Sequence, residues 1–232
     1  MSDVAIRAAE GGSFSGYLAA PKAGKGPGVV VIQEIFGVNA VMRTITDGLA
    51  AQGYAALCPD LFWRIKPGIQ ITDQTEAEWK QAFELFGKFD VDKGVSDLIA
   101  TLATLRQHPA CTGKVGAVGF CLGGKLAYLM ATRSDCDASV GYYGVGIQDL
   151  LGEAKNIKKP LMLHIAGKDQ FVPKPAQEKI HAGLKGNPHA TLFDYPNCDH
   201  AFARVGGKHY DAAAAGQANA RTSEFFRRHL GG

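Results

Sequence analysis

The sequence predicts an α/β chain in which a mostly parallel central sheet carries helices on both faces and an antiparallel hairpin forms the N-terminal edge. Three observations carry that prediction. Short, unbroken apolar runs such as Gly28-Val29-Val30-Val31-Ile32 suit strands buried on both faces, as parallel strands are. Segments of helical period separate these runs along the whole length. Strand ends empty into loops bearing Gly, Asp or Asn, the side of such sheets where sites form. With 232 residues, 46% of them hydrophobic, a single domain over 1–232 can bury a sizeable core.

In chain order, residues 4 to 20 alternate around Gly11-Gly12 and read as the edge hairpin. The strand at 28–32 stops in Gln33-Glu34-Ile35-Phe36-Gly37, after which Asn39 caps a helix to about Ala51, with Val41, Ile45 and Leu49 on one face. A second strand, Tyr54–Cys58, ends at Pro59-Asp60. Region 61–89 is irregular and aromatic. Its Trp79, Ala82, Phe83 and Phe86 share a helical face that packs on the sheet, lines a pocket, or does both. A helix from about Asp92 to Gln107 leads to a strand at 114–118. Beyond the following helix come strands at 138–143, 160–166 and 190–195, a helix at about 173–184, and a last helix from about Tyr210 to His229.

Bulk properties exclude several function classes. A net charge of +3, dispersed along the chain, gives no nucleic-acid or membrane-binding surface. No apolar run approaches the roughly 18 residues a membrane span needs, and the first ten residues do not resemble a signal peptide, so a cytoplasmic monomer is expected. The five cysteines (Cys58, Cys111, Cys121, Cys136, Cys198) show no C-x-x-C spacing, which argues against a disulfide framework and a zinc site.

The chemistry centres on Gly119-Phe120-Cys121-Leu122-Gly123-Gly124, a strand-to-helix corner of pattern G-x-C-x-G-G. It is a thiol version of the nucleophile elbow, in which glycines permit a tight turn that exposes the nucleophile at a helix N-terminus. A thiol nucleophile needs an imidazole and a group to orient it. Of the seven histidines only His200 stands in a loop just after a strand; His164 lies in an apolar strand and reads as a core residue. Asp169, after the preceding strand, is the matching acid, and the order Cys121, Asp169, His200 is that of the α/β-hydrolase fold. Asp199, adjacent to His200, reads as a solvated carboxylate. Oxyanion donors are expected from the backbone N–H groups of Leu122 and Ile35. Glu34, ending an apolar strand, faces either water or the thiol.

With these pieces, the chain resembles the dienelactone hydrolase (carboxymethylenebutenolidase) family over essentially its full length. The matching segments are Gln33–Gly37, Pro59-Asp60-Leu61, the elbow 119–124, Gly141-Tyr142-Tyr143-Gly144, Ala166–Asp169 and His200-Ala201-Phe202. The resemblance implies hydrolysis of a carboxylate-bearing enol-lactone to a maleylacetate-type acid through a thioester on Cys121, in the catabolism of aromatic compounds, with no metal or organic cofactor. It also implies that Glu34 keeps the resting thiol protonated until a substrate carboxylate displaces it. Arg204 matches one of two family arginines that hold that carboxylate, while the other position is Trp79 and a nearby family tyrosine is Phe83; Arg64 is the candidate to compensate. Phe36 and Tyr143, inside the matching segments, complete the expected substrate contacts. A Trp79/Phe83 wall also suits a broad carboxylesterase acting on aromatic or less charged esters. A redox or ligand-binding thiol on the same scaffold is the non-hydrolytic alternative, though no resolving cysteine is evident.

Overall fold

A computed structural model describes residues 2–231. Eight strands form one sheet in the order β1-β2-β4-β3-β5-β6-β7-β8, where β1 is Ser2–Arg7, β2 Ser13–Ala19, β3 Gly26–Ile32, β4 Ala55–Pro59, β5 Cys111–Phe120, β6 Ser139–Tyr142, β7 Leu161–Ala166 and β8 Ala190–Tyr195. The β1–β2 and β2–β4 pairs are antiparallel and every other neighbouring pair is parallel. The apolar runs explain the layout: β3, β4, β6 and β7 are buried almost residue for residue and sit inside the sheet, whereas β8, half-exposed along most of its length, forms the far edge.

Six helices cover the sheet: α1 Ala40–Ala51, α2 Glu76–Lys88, α3 Val91–Gln107, α4 Leu122–Arg133, α5 Lys174–Leu184 and α6 Ala212–Leu230. Buried side chains divide into two clusters, one joining Leu98, Leu102 and Leu126 of α3 and α4 to the strands, the other joining Met42 and Leu49 of α1 to Phe225 and Phe226 of α6. The sheet therefore has a core on each face. Asn39 caps α1 by accepting the Met42 N–H at 3.2 Å.

The expected strands and helices all form, with ends shifted by a few residues. Two 3-10 turns, Ile147–Asp149 and Leu151–Asn156, occupy a stretch for which the sequence gives no periodic signal. Among the described residues no helix is long and apolar enough to cross a membrane, and all five cysteines are free thiols.

Candidate active site

β5 ends at Phe120 and α4 starts at Leu122, which leaves Cys121 alone at the corner, with φ 55° and ψ −113°. A residue bearing Cβ pays of order 1–3 kcal/mol to adopt such a conformation. Close packing holds it there. The Cys121 N–H donates to the Tyr142 carbonyl at 3.1 Å, and its own carbonyl accepts the Gly124 N–H at 3.0 Å. A Cβ on Gly119 would overlap the Gly123 carbonyl, and one on Gly123 would strike the Ile32 carbonyl. Glycine at both positions thus lets α4 dock directly on the end of β3. The same docking brings Gly123, in the first turn of α4, against the Ile32 and Gln33 carbonyls. As the first helical residue, Leu122 has no intrahelical acceptor for its N–H.

The loops after β7 and β8 meet beside this corner. Gly167 N–H donates to the Tyr195 carbonyl at 2.9 Å and Lys168 N–H to the Cys198 carbonyl at 2.9 Å, fastening one loop to the other. His200 Nδ1 thereby reaches Asp169 Oδ2 at 2.7 Å, both residues being buried. The other carboxylate oxygen accepts the N–H groups of Phe171, at 2.8 Å, and Val172, at 3.3 Å. With its Nδ1 proton committed to Asp169, the imidazole turns Nε2 toward the elbow. Burial works against a charged ring, but the Cys121 sulfur, by charge and hydrogen bonding, and the Asp169 carboxylate outweigh it and raise His200 to about 10. A thiol, an imidazole and a buried carboxylate in this arrangement can form a nucleophilic thiolate and a proton carrier beside it.

Glu34 does not face bulk water. It is 2% exposed, and its two oxygens accept from Arg204 Nη2 at 2.9 Å and Nε at 2.8 Å. The remaining guanidinium nitrogen, Nη1, donates to Asp73 Oδ2 at 2.7 Å, and the guanidinium lies 4.9 Å from the Phe36 ring centroid. Arg204 is thus held by two carboxylates and a ring.

Above Cys121 opens a narrow cleft with a cavity volume of about 40 Å³. Its walls are Ile35, Phe36, Trp79, Phe83, Phe86, Val145 and Phe171, joined by His200 and Arg204. Trp79 stacks on Phe83 at 5.5 Å and meets Phe36 edge-on at 5.1 Å, so the face of α2 forms wall and core together. Two expected substrate contacts lie elsewhere. Arg64 is held by Asp97 through Nε at 3.1 Å and Nη2 at 2.9 Å and lies over Trp63, away from the cleft. Tyr143 is 2% exposed and packs edge-on against His200 at 5.1 Å, beneath the imidazole instead of in the cleft wall.

Sequence reasoning missed Asp73, Val145 and Phe171. It also missed Asp60, whose carboxylate accepts the Phe62 N–H at 3.0 Å and the Gly68 N–H at 2.7 Å and so shapes the loop before α2. Asp199 is half-exposed and lies 3.6 Å from His209, as a solvated carboxylate would. Among the described residues no group of three or more His, Cys, Asp or Glu side chains is placed to hold a metal ion.

Comparison with known proteins agrees with this geometry. The model of the dienelactone hydrolase family matches residues 14–230. A protein of Azospirillum brasilense named "Putative carboxymethylenebutenolidase" is 54% identical over 235 residues, covering 100% of both chains. The carboxymethylenebutenolidase of Pseudomonas putida is 41% identical over 96% of this chain and 94% of its own. Among solved structures, a "Putative Dienelactone Hydrolase" from Klebsiella pneumoniae superposes with a TM-score of 0.84 at 27% identity, covering 98% of this chain and 100% of that one. A family match over residues 14–230, with relatives 41% and 54% identical over nearly the whole length, leaves one assignment: the chain belongs to the dienelactone hydrolase family and is a hydrolase.

Proposed function

We propose that this protein hydrolyses small lactones and esters by acyl transfer to Cys121, an enol-lactone of the dienelactone type being the substrate read from its family. In this reading the Cys121 proton passes to His200 Nε2 before the attack, and the thiolate, paired with the imidazolium, adds to the carbonyl carbon. The backbone N–H groups of Leu122 and Ile35 receive the oxyanion. The carbonyl then reforms, the ring C–O bond breaks, and the enolate takes the proton back from His200, leaving a thioester on Cys121. Water, losing its proton to His200, attacks that thioester; the C–S bond breaks, the acid departs and the thiol is restored. Asp169 holds the imidazole in the Nδ1–H tautomer throughout, and Glu34 fixes Arg204 beside the cleft.

The observation that carries this reading is the buried 2.7 Å contact of His200 with Asp169, set beside a cysteine in a backbone conformation few residues adopt. Cys121→Ala is expected to abolish turnover of a chromogenic aryl ester. Mass analysis of wild-type protein quenched during turnover is expected to find the acyl group on the peptide containing Cys121. Full activity in the alanine variant would reject the mechanism.

A second substrate reading, an uncharged or aromatic ester, is favoured by a specific observation. Seven of the residues around the cleft are apolar or aromatic side chains with nothing to offer a charge, and the cation among them, Arg204, already carries two carboxylates.

A further inference from the structure

We propose that Asp73 determines charge selectivity at this site, sharing the single positive charge of Arg204 with Glu34 and so favouring uncharged acyl groups over carboxylate-bearing ones. The proposal rests on the reading of the Cys121 cleft as the acyl-binding site. Arg204 Nη1 donates to Asp73 at 2.7 Å while Nε and Nη2 serve Glu34, so all three guanidinium nitrogens are engaged. The three groups are almost fully withdrawn from water, with side-chain exposures of 7% for Arg204, 2% for Glu34 and 9% for Asp73. One positive charge is thus shared by two negative ones.

An incoming carboxylate would meet a guanidinium already over-compensated, in surroundings where charges are weakly screened. It can either take the second N–H of Nη1 or Nη2 and lie against two carboxylates that already share the charge, or displace one of them and leave it buried and unpaired, and both states are costly. An uncharged acyl group meets no such barrier and gains contact with the aromatic walls. The other nearby cation, Lys125, stands 5.8 Å from the centroid of the cleft-lining ring Phe86 but is not itself among the lining residues, and burial lowers its pKa.

Asp73 is placed for this role by its loop. Its backbone carbonyl accepts the indole N–H of Trp79 at 2.9 Å, tying it to the cleft wall, and its second carboxylate oxygen accepts from Gln74 Nε2 at 2.6 Å. The carboxylate does not cap α2, since Thr75 does that by accepting the Glu78 N–H at 3.2 Å. Neutralising Asp73 should therefore alter the charge at Arg204 without unwinding the helix that carries Trp79 and Phe83.

The test is titration calorimetry of wild-type and Asp73→Asn protein with benzoate and benzamide, an anion and its uncharged counterpart that probe binding without turnover. Wild-type protein should bind benzamide more tightly than benzoate. The asparagine variant should shift that ratio toward benzoate by about tenfold or more, the scale of one charge-assisted contact. In parallel, kcat/KM for a lactone carboxylic acid and its methyl ester should shift the same way, the change residing in KM for the acid. Benzoate binding to the wild type as tightly as benzamide, or a ratio unmoved within about twofold in the variant, would overturn the proposal. The wild-type comparison stands even if the variant does not fold. Because calorimetry needs no thiol chemistry, a failure of the Cys121 mechanism would appear in turnover alone and leave the binding ratio intact.

Discussion

At the scale of single residues, the side chains that matter are held by their neighbours more than by their own preferences. His200 is the clearest case. Asp169 takes its Nδ1 proton, Tyr143 packs under it edge-on, and Phe171 meets it edge-on at 4.9 Å. The imidazole can neither rotate nor change tautomer without breaking one of these contacts. His200→Asn is therefore expected to lower kcat by about a hundredfold or more, the usual scale for a general base, with a small change in KM; unchanged turnover of an aryl ester would remove His200 from the mechanism. Cys121, Asp169 and His200 were legible in sequence because each is a chemically distinctive residue directly after an apolar run. The Glu34–Arg204–Asp73 cluster was not. Its members lie far apart in sequence, and Asp73, between Thr72 and Gln74, reads as one more polar residue before a helix.

At the scale of elements, the periodic segments could be read and the strap between β4 and α2 could not. Residues 60–75 have no period; what orders them is Asp60 holding Phe62 and Gly68, and a set of contacts between residues 69–71 and the loop after β3. Val38 N–H donates to the Ile69 carbonyl at 3.1 Å, and Ile71 N–H to the Phe36 carbonyl at 3.0 Å. Gly37, with φ 76°, permits that approach, since a Cβ there would overlap the Ile69 carbonyl. Asn39 joins the two kinds of order. Its Oδ1 caps α1, as its position in sequence predicts, while its Nδ2 donates to the Ile71 carbonyl at 2.8 Å, which no local pattern announces. Asn39→Ala should cost about 1–2 kcal/mol in urea denaturation, one cap plus one tether. Asn39→Asp, which keeps the capping oxygen and loses the donor, should recover part of that. If alanine and aspartate cost the same, the cap contributes nothing measurable and the tether carries the whole effect.

At the scale of the whole molecule, the half of the sheet that carries Asp169 and His200 is joined to the last helix by a buried hydrogen-bond chain. Arg221 Nη1 donates to the Tyr195 hydroxyl at 3.0 Å; that hydroxyl meets His164 Nδ1 at 2.9 Å; His164 Nε2 meets the Thr222 hydroxyl at 3.0 Å; and the Thr222 and Tyr142 hydroxyls lie 2.6 Å apart, with Tyr142 reaching Asn219 Oδ1 at 3.0 Å. One assignment satisfies every member: each hydroxyl accepts from one side and donates to the other, and His164 is neutral with its proton on Nε2. A second proton on Nδ1 would point at a Tyr195 oxygen that already accepts from Arg221, and the chain would lose a donor–acceptor match. Burial lowers His164 to about 3, and the Arg221 charge adds to the shift. The sign of the pH dependence follows. The folded value lies below the ordinary value near 6.5, so the stabilisation is complete above about pH 6.5. It is lost as pH falls toward 3, where the unfolded chain binds a proton that the folded one refuses. This one group should contribute a slope of about 1.4 kcal/mol per pH unit over that range. Carboxylates add their own acid dependence, which His164→Gln leaves in place while removing the titrating ring. Urea denaturation between pH 7 and 4.5 is therefore expected to give a shallower loss of stability in the variant than in the wild type, by up to that slope. Parallel curves would show that His164 already carries its proton in the folded protein, and the donor assignment along the chain would then be wrong.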